Sequence, residues 1–100
     1  MTSPALSFVV PAFNEEKRLP VSLARIAEWL GSRTPPVPAE VLVVDDGSSD
    51  RTAAVAEKTA SGLGLSFRVI RLPENRGKGA AVRAGVLEAR GEHVLVTDAD

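Results

Sequence analysis

The chain contains no cysteine, which excludes disulfides and thiolate metal sites without fixing a compartment. It has no marked excess of charge of either sign. The formal net charge is -1 over 100 residues, so no global field favours nucleic acid or an anionic membrane, and nucleic acid is not an expected partner. It also lacks a long apolar run. The longest stretch, around Ala5 to Phe13, is interrupted by Ser7 and Pro11 and is far too short to cross a bilayer. The same stretch lacks the basic start and small-residue cleavage site of a signal peptide. There is no internal repeat and no low-complexity segment. What is present is the composition of an ordinary globular domain, 44% hydrophobic and 25% charged, long enough to bury a real core. A cytosolic chain is the expectation.

Four apolar, β-rich runs punctuate the sequence. Leu6-Ser7-Phe8-Val9-Val10 meets Pro11 and reads as a buried strand. Asn14-Glu15-Glu16, with Pro20 close behind, suits the start of a helix whose apolar face is Leu19, Leu23, Ile26 and Leu30 and which Gly31 ends. Thr34 to Pro38 is a proline-stiffened loop. Glu40-Val41-Leu42-Val43-Val44 is the second strand. A second helix follows, with Ser49 or Asp50 as N-cap and Ala53, Ala56, Ala60 and Leu63 inside. Phe67 to Leu72 is the third strand. The third helix carries a predicted stripe of Val82, Val86 and Ala89, and the last strand runs from Glu92 to Val96. Trp29 lies off the first helix stripe and His93 lies within a strand; both read as structural. Nothing closes the chain after Asp100, so a fragment of something longer is expected.

The order β-α-β-α-β-α-β predicts a Rossmann-like α/β fold, a parallel sheet with helices on both faces. Right-handed crossovers favour the strand order 3-2-1-4. Ligands in such folds bind beyond the carboxyl ends of the strands at the switch point. That brings Pro11 to Glu15 and Asp98 to Asp100 to one mouth, with Asp45 and Asp46 beside it.

The chemistry of those segments is consistent. Asp98 and Asp100, one residue apart past a strand end, point the same way and suit a hard divalent cation. Read alone they are equally two solvated carboxylates; the second acidic cluster, Asp45 to Asp50, tips the reading to function. An Asx turn explains Ser49 and Asp50 but not two adjacent carboxylates before Gly47, because side-by-side charges are costly unless a ligand or a donor uses them. Pro11 and Phe13 can shelve a flat base, with Glu15 on ribose hydroxyls, although a strand stop and helix cap explain that segment as well. Asn75-Arg76-Gly77-Lys78-Gly79 can face an anion with backbone amides and Lys78 or Arg76, or be a solvated basic turn. It is not a P-loop, and the first strand is not followed by the dinucleotide fingerprint.

Taken together, Val9 to Glu16, Val43 to Asp50, Asn75 to Gly79 and Asp98-Ala99-Asp100 resemble, in order and spacing, the inverting family 2 glycosyltransferases with the GT-A fold. Within that family, Asn14 to Pro20 with Arg76 to Gly79 and the Asp-x-Asp pair looks most like the dolichyl-phosphate β-glucosyltransferases and related polyprenyl-phosphate glycosyltransferases. The resemblance covers residues 1–100 as the nucleotide-sugar-binding half of such a domain. It implies a nucleotide-sugar donor, UDP-glucose, with Mg2+ or Mn2+, a lipid-phosphate acceptor, and peripheral association at the cytoplasmic face of a membrane. Pro11, Ala12, Phe13 and Glu15 would line the nucleoside pocket, and Asp45 and Asp46 would contact base or ribose in an order left open. Lys78 would lie near the phosphates. Asp98, with Ala99, would face sugar or ribose, and Asp100 with Asp98 would hold the metal. Family members continue well past the Asp-x-Asp pair, so this chain alone is expected to turn nothing over.

Three other readings compete. A phosphoacceptor receiver needs its acidic pair after the first strand, whereas here it follows the second. A nucleotidyltransferase wants a glycine- and basic-rich loop after the first strand, where Pro11 to Arg18 offers Asn-Glu-Glu. A non-catalytic nucleotide-binding remnant fits the length.

Overall fold

The structure, a computed structural model, describes residues 3–98. Strands β1 (Leu6–Ala12), β2 (Ala39–Asp45), β3 (Phe67–Arg71) and β4 (His93–Val96) alternate with helices α1 (Leu19–Gly31), α2 (Thr52–Gly62) and α3 (Lys78–Glu88). The sheet order is β3-β2-β1-β4, and every neighbouring pair is parallel. The predicted architecture and strand order are therefore those observed.

The two central strands are covered on both faces, which is why they read as unbroken apolar runs. Side chains alternate across them. Phe8, Val10, Val41 and Val43 pack beneath α1 and α2 with Leu19, Leu23, Ile26, Ala56 and Ala60. Val9, Leu42 and Val44 face the other way, against Ala81 of α3. Each fully buried leucine or valine contributes about 1.5–3 kcal/mol relative to exposure. Trp29, off the α1 stripe, meets Phe8 edge-on with ring centroids 6.1 Å apart. Edge strand β4 is exposed along its length, His93 included.

Local expectations needed correction at each of the three helices. Glu15 and Glu16 lie in a turn ahead of α1 rather than in its first turn, and the Glu15 carbonyl accepts the N–H groups of Arg18 and Leu19. At α2 the N-cap position is Arg51, not Ser49 or Asp50, yet Asp50 still accepts the Thr52 N–H from one residue further out at 3.0 Å. Leu63 falls just past the end of α2 and is 40% exposed. The α3 stripe is rotated. Ala81 and Gly85 are buried, while Val86 is 43% exposed.

Close approach explains the rotation. A Cβ on Gly85 would sit 2.4 Å from Val9 Cγ1 and 3.0 Å from Val44 Cγ2, so α3 rests on the sheet through its small residues. Gly85→Ala is expected to destabilise the fold by about 1–2 kcal/mol, overpacking outweighing the gain in helix propensity. Urea denaturation measures it, and a stabilised variant would contradict this packing.

Backbone bonds past the strand ends carry the loops to one place. Asp46 N donates to Ala12 O, Thr97 N to Val9 O and Leu72 N to Asp45 O, each at 2.9 Å. The exits of β2 and β4 thus flank the exit of β1.

Candidate functional site

The loop after β1 is tied to the loop after β2 by Asn14. Its backbone sits at φ +52, the only positive φ among the described residues other than glycine. Asparagine is among the side chains that tolerate that region. The Asn14 N–H donates to Ser48 Oγ at 2.9 Å, and Asn14 Oδ1 accepts the Ser49 N–H at 2.9 Å. Glu15 N–H donates to Thr52 Oγ1 at 2.9 Å and Glu16 N–H to Asp50 Oδ2 at 3.3 Å. Burial pushes the Asp50 carboxyl up, but the Thr52 hydroxyl and the N–H groups of Thr52 and Glu16 outweigh it and hold it below the usual carboxylate range. Asn14 lay within the expected segment but carried no site role of its own; its tolerance of positive φ was the available signal.

The loop after β2 is tied in turn to the loop before α3. Asp46 Oδ1 accepts the Arg76 N–H at 2.8 Å. Asp46 Oδ2 accepts the Gly77 N–H at 2.9 Å and Asn75 Nδ2 at 3.1 Å. Gly47, at φ +68, allows the contact, since a Cβ there would lie 2.4 Å from Asn75 N and from the Glu74 carbonyl carbon. Asp45 does something different: its Oδ1 accepts the Ser48 N–H at 3.0 Å and closes a local turn. The adjacent carboxylates are both used by donors from within the chain.

These ties frame a cleft of about 350 Å3 whose lining includes Pro11, Ala12, Phe13, Glu15, Asp46, Lys78 and Asp98. Seven of the expected residues therefore meet in one hollow. Asp45 is not among its walls, being buried in its turn. Ala99 and Asp100 lie outside the described residues. Pro11 and Ala12 are buried, whereas the Phe13 ring is 45% exposed at the mouth. Asn75 and Gly77, which the sequence offered only as part of a basic turn, also line the cleft.

Across the cleft, Lys78 Nζ stands 2.5 Å from Asp98 Oδ1. Lys78 is the first residue of α3, so a basic side chain and a helix N-terminus share one wall. Among the described residues no three metal-binding side chains cluster. Asp98 nonetheless has the character a hard divalent ion requires: a carboxylate at a strand end that already attracts a cation.

Comparison with known proteins follows the same lines. The family model described as "Glycosyl transferase family 2" matches residues 7–100. The human dolichyl-phosphate beta-glucosyltransferase is 50% identical over 99 residues, covering 95% of this chain and 31% of that protein. The mannosyltransferase PcManGT from Pyrobaculum calidifontis, in complex with GDP-Man and Mn2+, superimposes with a TM-score of 0.85 at 32% identity, over 100% of this chain and 28% of that one. S. aureus TarS 1-349 in complex with UDP-GlcNAc gives 0.82 at 33% identity, over 95% and 26%. The chain thus spans less than a third of the length of these relatives.

Proposed function

The chain belongs to glycosyl transferase family 2, and from that premise we propose that the protein transfers a hexose, with inversion, from a nucleotide-sugar to a polyprenyl or dolichyl phosphate. Residues 1–100 form the donor-binding half, and the donor is UDP-glucose. The observation that carries this reading is the convergence of Phe13, Glu15, Asp46, Lys78 and Asp98 on one cleft. The lipid-phosphate acceptor and the glucosyl group draw support from the name of the human relative. That acceptor would place the protein peripherally at the cytoplasmic face of a membrane. No described helix is long and apolar enough to cross one.

Each wall has a task. An ionised carboxylate offers about four acceptor positions. Three on Asp46 are taken by residues 75–77, leaving one on Oδ1 for the imide N–H of a uracil. Asp46 therefore reads the base while Asp45 holds the turn behind it. Phe13 and Pro11 flank the base, Ala12 supplies backbone beside it, and Glu15 takes the ribose hydroxyls. The diphosphate faces Lys78 and the start of α3. Asp98, with Ala99, faces the sugar, and with Asp100 it would hold Mg2+ or Mn2+. When bound, that ion offsets the charge of the departing diphosphate. A phosphate oxygen of the acceptor attacks the anomeric carbon from the opposite side, and the bond to the diphosphate breaks with its electron pair leaving on the diphosphate oxygen. An anionic acceptor needs little help from a base.

Calorimetric titration with UDP, UDP-glucose and GDP-mannose, each with and without Mn2+, tests the donor half. Metal-dependent binding of UDP-glucose in preference to GDP-mannose is expected. A folded protein that binds none of the three overturns the nucleotide-sugar reading, and a preference for GDP-mannose overturns the choice of donor. Mn2+-dependent glucose transfer to a short polyprenyl phosphate tests the acceptor.

A further inference from the structure

Resting on that reading, we propose that Lys78 is an exchangeable counter-ion that passes between Asp98 and the donor diphosphate, and so couples metal binding to nucleotide binding. The structure pairs Lys78 Nζ with Asp98 Oδ1 at 2.5 Å. An ammonium group on that carboxylate offsets its charge and would stand within a few ångströms of a divalent ion bound there, so the two cations oppose each other. A metal arriving at Asp98 therefore competes with Lys78.

The displaced ammonium has somewhere to go. Lys78 opens α3, where a diphosphate facing the helix amides would lie within reach of its flexible stem and rotatable donors. The Lys78 side chain is 60% exposed and that of Asp98 48%. A pair so solvated is weak enough to exchange, yet still opposes a metal that comes alone. The backbone need not move, since residues 75–77 are fastened to Asp46. Diphosphate takes the lysine, Asp98 is released, and the metal finds its ligand. Linkage makes the effect reciprocal, so each ligand favours the other by the same factor.

Mn2+ binding followed by the EPR signal of the free ion, with and without saturating UDP, tests this in wild type and in Lys78→Met. The variant is expected to bind Mn2+ alone about fivefold more tightly and UDP alone about fivefold more weakly, opposite signs that loss of a structural contact would not produce. The ratio of Mn2+ affinities with and without UDP should fall by about the same factor. Lys78→Arg, which keeps the charge, should hold that ratio within about twofold of wild type. Unchanged Mn2+ affinity or an unchanged ratio in a folded Lys78→Met overturns the exchange while leaving the donor reading intact. Wild type that binds neither Mn2+ nor UDP overturns both.

Discussion

Asp46→Ala is expected to weaken UDP binding by about a hundredfold, whereas Asp45→Asn leaves it within about threefold; calorimetry on the two variants measures the contrast. Asp46 accepts from Arg76 N, Gly77 N and Asn75 Nδ2, and hydrogen bonds to a charged group are worth about 1.5–3 kcal/mol each. Alanine removes these three side-chain bonds to the loop that precedes Lys78, together with the acceptor proposed for the base. A hundredfold loss corresponds to about 2.7 kcal/mol, which is modest beside that count. The freed amides can rehydrate, because Asn75 and Arg76 are exposed, so the core should stay folded and the loss should appear in binding. Asp45 behaves differently. An asparagine retains the oxygen that accepts the Ser48 N–H and removes one of two adjacent charges. Equal losses in both variants would mean that the two carboxylates share the nucleoside and that Asp46 is no special anchor.

The central sheet could be read from sequence because β1 and β2 are buried on both faces, leaving Phe8-Val9-Val10 and Val41 to Val44 as continuous apolar runs. Helix α1 was legible for a related reason, its leucines and isoleucine at helical spacing being the residues that touch the sheet. Helix α3 was not. Hydrophobicity points to Val82 and Val86, but how close a helix can lie on a sheet depends on size, and at this distance Ala81 and Gly85 fit. Position beyond the strand ends was enough to bring Pro11, Ala12, Phe13, Glu15 and Asp98 to one cleft. The division of labour between Asp45 and Asp46 was hidden, because it depends on backbone N–H groups thirty and thirty-one residues along the chain. Backbone donors leave no mark in composition or spacing. Asn14 escaped for the same reason, since its partners are amides of another loop.

The opposite end of the sheet was silent in the sequence, and it carries the largest expected effect on stability. Glu40, at the start of β2 and 7% exposed, accepts the Ser7 hydroxyl at 2.6 Å and the Arg90 N–H at 2.7 Å. Arg68 Nη2 approaches its other oxygen at 3.5 Å and donates to the Glu88 carbonyl at 2.5 Å. The Gly91 N–H donates to the fully buried Ser7 at 2.8 Å. One carboxylate thus joins β1, β2 and β3 to the chain leaving α3 for β4. Removing one partner of a buried ionic network costs about 3–5 kcal/mol, so Glu40→Ala should lower the melting temperature by about 15–30 °C in a domain of this size. Glu40→Gln, which keeps one acceptor for Ser7 and Arg90, should cost about half as much. The pH dependence has a definite sign. Burial pushes the Glu40 carboxyl up, but the Ser7 hydroxyl, the Arg90 N–H and the Arg68 charge outweigh it and hold it below its ordinary value of 4.5. A depressed carboxylate contributes fully above its unfolded value and loses that contribution as pH falls through the folded one. The gap between wild type and Glu40→Gln should therefore be widest near neutral pH and close as pH drops below 4.5. Thermal denaturation of the three proteins across that range decides it. A Glu40→Ala protein that melts within about 3 °C of wild type would reduce the network to a solvated charge, and the junction between α3 and β4 would then rest on apolar packing and on bonds such as Gly91 N–H to Ser7.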